Sequence, residues 1–296
     1  MSSEENNLPK APKIDLSKIQ NAEAIKKKGD DTFEKALPSG RTRKKGKFNF
    51  INSEKCRLPS GGILYSSVTD DPDVLSGEIE LYPMTVKEEE ILSTSKFLKS
   101  GAATRMVIDN CIASDIDAKD ILLYDSNYIL FFLRSISYGD DYEFKLKCPN
   151  CDQEFEHTVE ISQLSFEELP EDITEPIKTK LPASGYTVYS IFPRLFHSEM
   201  IYQRSLKKKK KTSDSDTRLV DNLMSTIVKI VDTNGEEVEK RDYEEFLEAL
   251  PGMDRAALKD ATDYSTGVDK LNGVACPYCE TDYSGTIPVG IDFFRF

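Results

Sequence analysis

Two short cysteine pairs, Cys148-Pro149-Asn150-Cys151 and Cys276-Pro277-Tyr278-Cys279, constrain this chain more than any other feature. Each sets two thiols two residues apart, the bite that grips one side of a tetrahedral ion. Two such bites make a four-cysteine site, and Zn²⁺ is its usual occupant. The 124 residues from 152 to 275 lie between the pairs, so ligation would clamp distant parts of the chain together. Pro149 and Pro277 stiffen the tips, extended runs flank them, and an aromatic (Phe155, Tyr283) stands four residues after each second cysteine. This is the local pattern of a zinc ribbon. Two separate redox pairs, an iron–sulfur cluster and unliganded thiols are the rival readings. Redox CxxC pairs open a helix after a strand, whereas strands are expected to follow here. Four thiolates also close the shell, which makes the ion structural and not catalytic. Zinc in small cysteine-rich sites binds with about 10–16 kcal/mol of apparent free energy. Closing a loop on the order of 100 residues costs about 4–5 kcal/mol, so ligation exceeds the closure cost.

Charge is unevenly spread over the 296 residues, whose net value is −13. Residues 1–57 carry 14 Lys and Arg against 8 Asp and Glu, net +6, while the remainder carries 25 against 44, net −19. An acidic body repels phosphates and argues against a broad nucleic-acid-binding face. No apolar h-region opens the chain, and its most apolar stretch, residues 128–133, is far too short to span a membrane. Four of the six cysteines fall in CxxC pairs, which points to metal in a reducing compartment and not to a disulfide frame. The expectation is a soluble intracellular protein.

The fold class expected is α+β: a mostly helical body with short antiparallel strands and a split four-cysteine zinc ribbon joining residues 140–162 to 272–292. Residues 1–57, rich in Lys, Asn and Pro, read as a largely disordered basic extension, with one apolar pattern from Ile14 to Ile25. Residues 58–296 form the globular body. A turn signal at Leu58-Pro59-Ser60-Gly61-Gly62-Ile63-Leu64-Tyr65 leads into a short extended segment. Alternation predicts a strand over 78–82, and Thr85 with Glu88 forms a capping box for a helix over 86–98 that buries Ile91, Leu92 and Leu98. Further helices are predicted near 101–113, 117–124 and 127–137, the last apolar nearly all round and central to the core, with Gly139 ending it. Strands over 142–147 and 155–161 flank the first knuckle, and another covers 186–191. Helices near 197–210 and 217–229 bracket an exposed Lys-rich loop near 207–216. Asn234-Gly235 marks a hairpin turn, short helices follow near 241–249 and 254–262, and residues 286–296 read as a strand-like tail.

Few residues suit catalysis. There are two histidines: His157 reads as an exposed strand residue that could replace a thiolate, and His197 as a surface residue at a helix start. His157-Thr158-Val159-Glu160 lacks the H-x-E spacing of zinc deaminases. No Walker loop, G-x-G-x-x-G, G-x-S-x-G or H-E-x-x-H occurs. Asp70, Asp71, Asp73, Asp140 and Asp141 suit turns, Cys56 reads as a tail thiol, and Cys111 as a small core residue. No active site, and so no enzyme, is expected.

Taken in order, three stretches resemble the baseplate hub proteins of T4-like contractile-tailed bacteriophages, also called hub assembly proteins. They are the 58–65 motif; residues 80–92 with Met84-Thr85-Val86-Lys87-Glu88-Glu89-Glu90; and Leu133-Arg134-Ser135-Ile136-Ser137-Tyr138-Gly139 running through Tyr142 to Cys148 and Cys151. The match covers most of 58–296 and is strongest in 58–165. The resemblance implies a non-enzymatic role in assembling the central hub, as incorporated subunit or departing chaperone. The expected partners are other hub or tail proteins, with no small-molecule substrate and no membrane. The expected location is the host cytoplasm during assembly, and the virion baseplate for a retained subunit. The alternative is a zinc-ribbon nucleic-acid-binding regulator using the basic runs 41–47 and 207–211.

Overall fold

A computed structural model describes residues 52–294 apart from 95–96, 98–99, 210–217 and 263. Expectations for residues 1–51, for Leu98 and for the lysine-rich loop beyond residue 209 lie outside the described residues. The architecture is α+β, with eight α-helices and four small antiparallel sheets among the described residues.

Strand β1 (Glu54–Arg57) pairs with β2 (Glu78–Leu81), with Glu54 opposite Leu81. Cys56 on β1 is fully buried, so it is a core residue and not the tail thiol expected. Between these strands the 58–65 motif forms the turns that its signal predicts, further turns at 66–68 replace the extended segment expected after it, and a short helix α1 (Pro72–Leu75) follows. Its N-cap is Asp71, whose carboxylate accepts the Asp73 N–H, the turn role expected of this acidic cluster. Helix α2 (Val86–Ser93) opens on the predicted capping box, with the Glu88 carboxylate accepting the Thr85 N–H at 2.7 Å. Helix α3 (Ala102–Cys111) buries Met106, Val107 and Cys111. The helix expected at 117–124 is only a 3₁₀ turn at Ala118–Asp120, because the chain turns out to begin the long helix α4 (Leu123–Tyr138) at once.

Strands β3 (Asp141–Lys147) and β4 (Glu154–Glu160) form one hairpin, and β8 (Lys270–Ala275) and β9 (Asp282–Thr286) form another. Between the hairpins run β5 (Ile177–Lys180), β6 (Thr187–Ser190), α5 (Leu195–Lys209), α6 (Arg218–Thr226), β7 (Ile227–Val231), α7 (Tyr243–Glu248) and α8 (Gly252–Asp260). The helix expected to reach residue 229 gives way at Ile227, where the β-branched run Ile227-Val228 joins the β5-β6-β7 sheet. The tail expected to be strand-like from 286 onwards is not: the strand ends at Thr286, and Ile291–Phe294 forms a 3₁₀ turn.

Two hydrophobic cores form among the described residues. The larger joins both hairpins, β1, β2 and α2 to α4, with Phe293 of the final turn inserted between Phe131 and Tyr142 at ring distances of 4.8 and 4.9 Å. The smaller gathers Leu181, Val188, Leu223, Ile230, Tyr243, Leu247, Leu250 and Leu258 around the three-stranded sheet. No helix among the described residues is long and apolar enough to cross a membrane.

A buried polar hub ties segments 58–65, 120–125 and 192–197 together. Asp125 accepts hydrogen bonds from the Ser60 N–H (2.9 Å), the Ser60 hydroxyl (2.6 Å) and the Tyr65 hydroxyl (2.7 Å). Leu122 N–H donates in turn to the Tyr65 oxygen at 3.0 Å. Fully buried Arg194 donates to the carbonyls of Asp120 (2.7 Å) and Leu64 (2.9 Å) and meets the Glu175 carboxylate at 3.1 Å. Gly62 lets the turns close. Its φ is +78°, and a Cβ there would stand 2.3 Å from the Val74 carbonyl oxygen. His197 is buried, against the surface position expected, because its Nδ1 accepts the Arg194 N–H at 2.8 Å. Burial, reinforced by the Arg194 charge, lowers its pKa to about 3.

Asp125→Ala strands three donors in the core, and urea denaturation should show a loss of about 3 kcal/mol or more. An unchanged midpoint would contradict the hub. His197 stays neutral in the fold while the unfolded chain takes up a proton below about pH 6.5, so stability falls as pH drops from there towards 3. His197→Asn should flatten that acid limb by one proton's worth in pH-dependent melts; an identical slope would refute the assignment.

Candidate metal centre

Each cysteine pair sits at the tip of a hairpin, in residues 148–153 and 276–281, and the two tips share one backbone plan. Cys148 N–H donates to the Gln153 carbonyl at 2.9 Å, and Cys276 N–H to the Thr281 carbonyl at 3.1 Å. Asp152 and Glu280 each donate back to the first cysteine's carbonyl, at 3.0 and 2.9 Å. Both adopt the left-handed conformation, with φ of 57° and 56°, a region that ordinarily favours glycine. Beneath the tips the correspondence continues. Leu146 faces Phe155 and Val274 faces Tyr283 across their ladders, and both aromatics pack on the larger core as expected. Leu146 also lies 3.9 Å from where a Cβ on Gly285 would stand, so the hairpins meet closely.

This stacking brings the four sulfurs together. All four Sγ atoms lie within 4.8 Å of one another. The short separations cross between knuckles: 3.7 Å for Cys148–Cys279 and 3.7 Å for Cys151–Cys276. A disulfide would need about 2.05 Å. Sulfurs about 2.3 Å from a shared tetrahedral ion stand about 3.8 Å apart, so the donor set fits a bound metal. Cys148 and Cys276 are buried while Cys151 and Cys279 are half-exposed, giving the cluster one inner and one outer edge. His157 is not part of it: its ring stands edge-on to Phe144 at 5.8 Å, lower on the hairpin.

Two polar neighbours escaped the sequence reading. The Asn150 amide reaches across to Cys279 Sγ (3.6 Å) and to Thr281 Oγ1 (3.1 Å). Thr281 Oγ1 is itself 3.4 Å from that sulfur. No local signal marks Asn150, because its partners lie on the other knuckle and its counterpart Tyr278 faces solvent, 62% exposed. Hydrogen bonds from the Thr281 side chain, the Thr281 N–H and Asn150 pull the Cys279 thiol down to about 6. At Cys151 the Gln153 backbone pulls downward, but desolvation and the neighbouring sulfurs outweigh it and push the thiol up to about 12. Cys279 thus favours its thiolate near neutrality, and a bound cation would supply the charge that favours loss of the Cys151 proton.

A family model described as T4 bacteriophage base plate protein matches residues 52–295. The chain belongs to that family. No curated protein and no solved structure matches it. Membership implies partners among tail and baseplate proteins. The baseplate-family region starts just before β1 and takes in both cores and both knuckles, so the sulfur cluster is built by the family's own part of the chain.

Cys276→Ser should release bound metal and lower the melting temperature of this baseplate-family protein, whereas Cys56→Ser should keep full metal content. Cys56→Ser should still lose about 1–3 kcal/mol, because a hydroxyl replaces a buried thiol. Elemental analysis with thermal melts checks both, and equal metal content in the two variants would defeat the site.

Proposed function

We propose that this baseplate-family chain is a non-enzymatic protein of the central tail hub, acting through protein–protein contacts either as a retained subunit or as an assembly chaperone. The observation that carries the reading is the family match over 52–295, joined to the ordered hub-like stretches within it. Cys148, Cys151, Cys276 and Cys279 hold a structural Zn²⁺, since four thiolates suit zinc and leave no open coordination position. The ion ties the first hairpin to the last and gives partners a stiff body to grip. Both histidines serve packing, His197 inside the polar hub and His157 against Phe144, which favours a structural role over acid–base chemistry. The protein works in the host cytoplasm during assembly and, as a subunit, in the virion baseplate.

The nucleic-acid regulator reading draws on the +6 of residues 1–57 but meets a remainder of −19. Phosphate binding to such a surface is disfavoured.

Mass spectrometry of purified virions tests the proposal. Hub stoichiometry identifies a subunit, and absence from virions with capture on a hub precursor identifies a chaperone. Finding the protein in neither place overturns both, and steeply salt-dependent nucleic-acid binding would favour the regulator instead.

A further inference from the structure

One open groove stands apart from the metal centre and the polar hub. It lies against α2, with a volume of about 470 Å³, and is lined by exposed Val86 and the buried Leu92 and Phe294 together with Glu89, Glu90 and Thr94. Val86 is a large apolar side chain left 68% exposed at its mouth. The carboxylates add negative charge, and the Glu89 carboxylate is held upright by the Tyr138 hydroxyl at 2.8 Å. Such a groove calls for a segment with apolar side chains and adjacent cations.

The chain supplies one at the right place. β1 runs antiparallel to β2 with Glu54 opposite Leu81, so a continuation of that ladder upstream of residue 54 would pass the residues that follow 81 and lead towards the first turn of α2. Ser53 is still beside β2, its hydroxyl donating to the Glu80 carboxylate at 2.5 Å. Immediately upstream the sequence reads Lys44-Lys45-Gly46-Lys47-Phe48-Asn49-Phe50-Ile51, three lysines leading into two phenylalanines and an isoleucine. Six extended residues, from 52 back to 47, span up to about 20 Å. The eight residues of α2 extend only about 12 Å. Length, direction, apolarity and charge therefore agree.

We propose that the groove on α2 is a docking surface for this chain's own residues 44–51, bound in cis, with Phe48 and Phe50 against Val86 and Phe294 and the lysines beside Glu89 and Glu90. The basic extension is then a strap fastened along the acidic body. Any baseplate partner that needs this face of α2 has to displace it.

Hydrogen exchange on the full chain tests the strap. Amides of residues 86–93 should exchange at least tenfold faster in the double variant Phe48→Ser/Phe50→Ser than in the parent, with bound metal and exchange in the 141–160 hairpin unchanged. Glu90→Lys should speed exchange in the same segment, and combining it with Lys47→Glu should restore part of the protection. In the parent, protection should be independent of protein concentration across a hundredfold dilution. Equal exchange in parent and double variant overturns the proposal. Protection that fades on dilution also overturns it, and identifies a second copy as the occupant. The metal readout separates this test from the hub reading, which depends on virion composition and not on the strap.

Discussion

Four sulfurs held between two hairpin tips are the constraint on which the body depends. The two cysteine pairs are separated by 124 residues of sequence, yet their sulfurs all fall within 4.8 Å. Proximity of this kind is not free, because thiolates so close together repel one another until a cation shares their charge. The hairpins beneath are arranged to supply that proximity. Their ladders bring Leu146 and Val274 opposite aromatic rings, and those rings rest on the same core. Zinc, on the reading proposed here, locks a geometry that apolar packing has already brought near.

The second tie between early and late parts of the chain is polar. Asp125 and Arg194 are fully buried charges, and each is surrounded by donors or acceptors from other segments. Buried charges so engaged contribute little net stability compared with an apolar core of equal volume, but losing one partner is severe. Their arrangement fixes which turn meets which helix. The effect is to orient the start of α4, and α4 in turn sets the base of the β3–β4 hairpin through Arg134, which donates to the carbonyls of Gly139 and Asp141. Metal site and polar hub are therefore connected through a single helix.

Legibility followed the range of the interactions. The cysteine knuckles, the Thr85–Glu88 box and the alternation of β2 are local patterns, and the structure keeps all three. The turn signal in the 58–65 stretch was legible but the extended segment expected after it was not there, because Ser60, Tyr65 and Leu64 acquire their partners 60 to 130 residues away. His197 looked like a surface residue for the same reason: its burial comes from Arg194 turning inward. The smaller core was invisible, since Leu181, Val188, Leu223 and Leu258 form no periodic pattern until β5-β6-β7 assembles. At the sulfur cluster the ligands were readable and Asn150 was not, because it acts across the gap on the opposite knuckle.

The smaller core is carried inside the excursion between the two hairpins. Loop-closure entropy rises only logarithmically, by about 0.6 kcal/mol for each doubling of length. Once the hairpin tips are joined, the material between them can lengthen, shrink or be exchanged without loosening the joint. The β5-β6-β7 lobe is thus a cassette held at both ends, free to vary in surface shape while the frame beneath it stays the same.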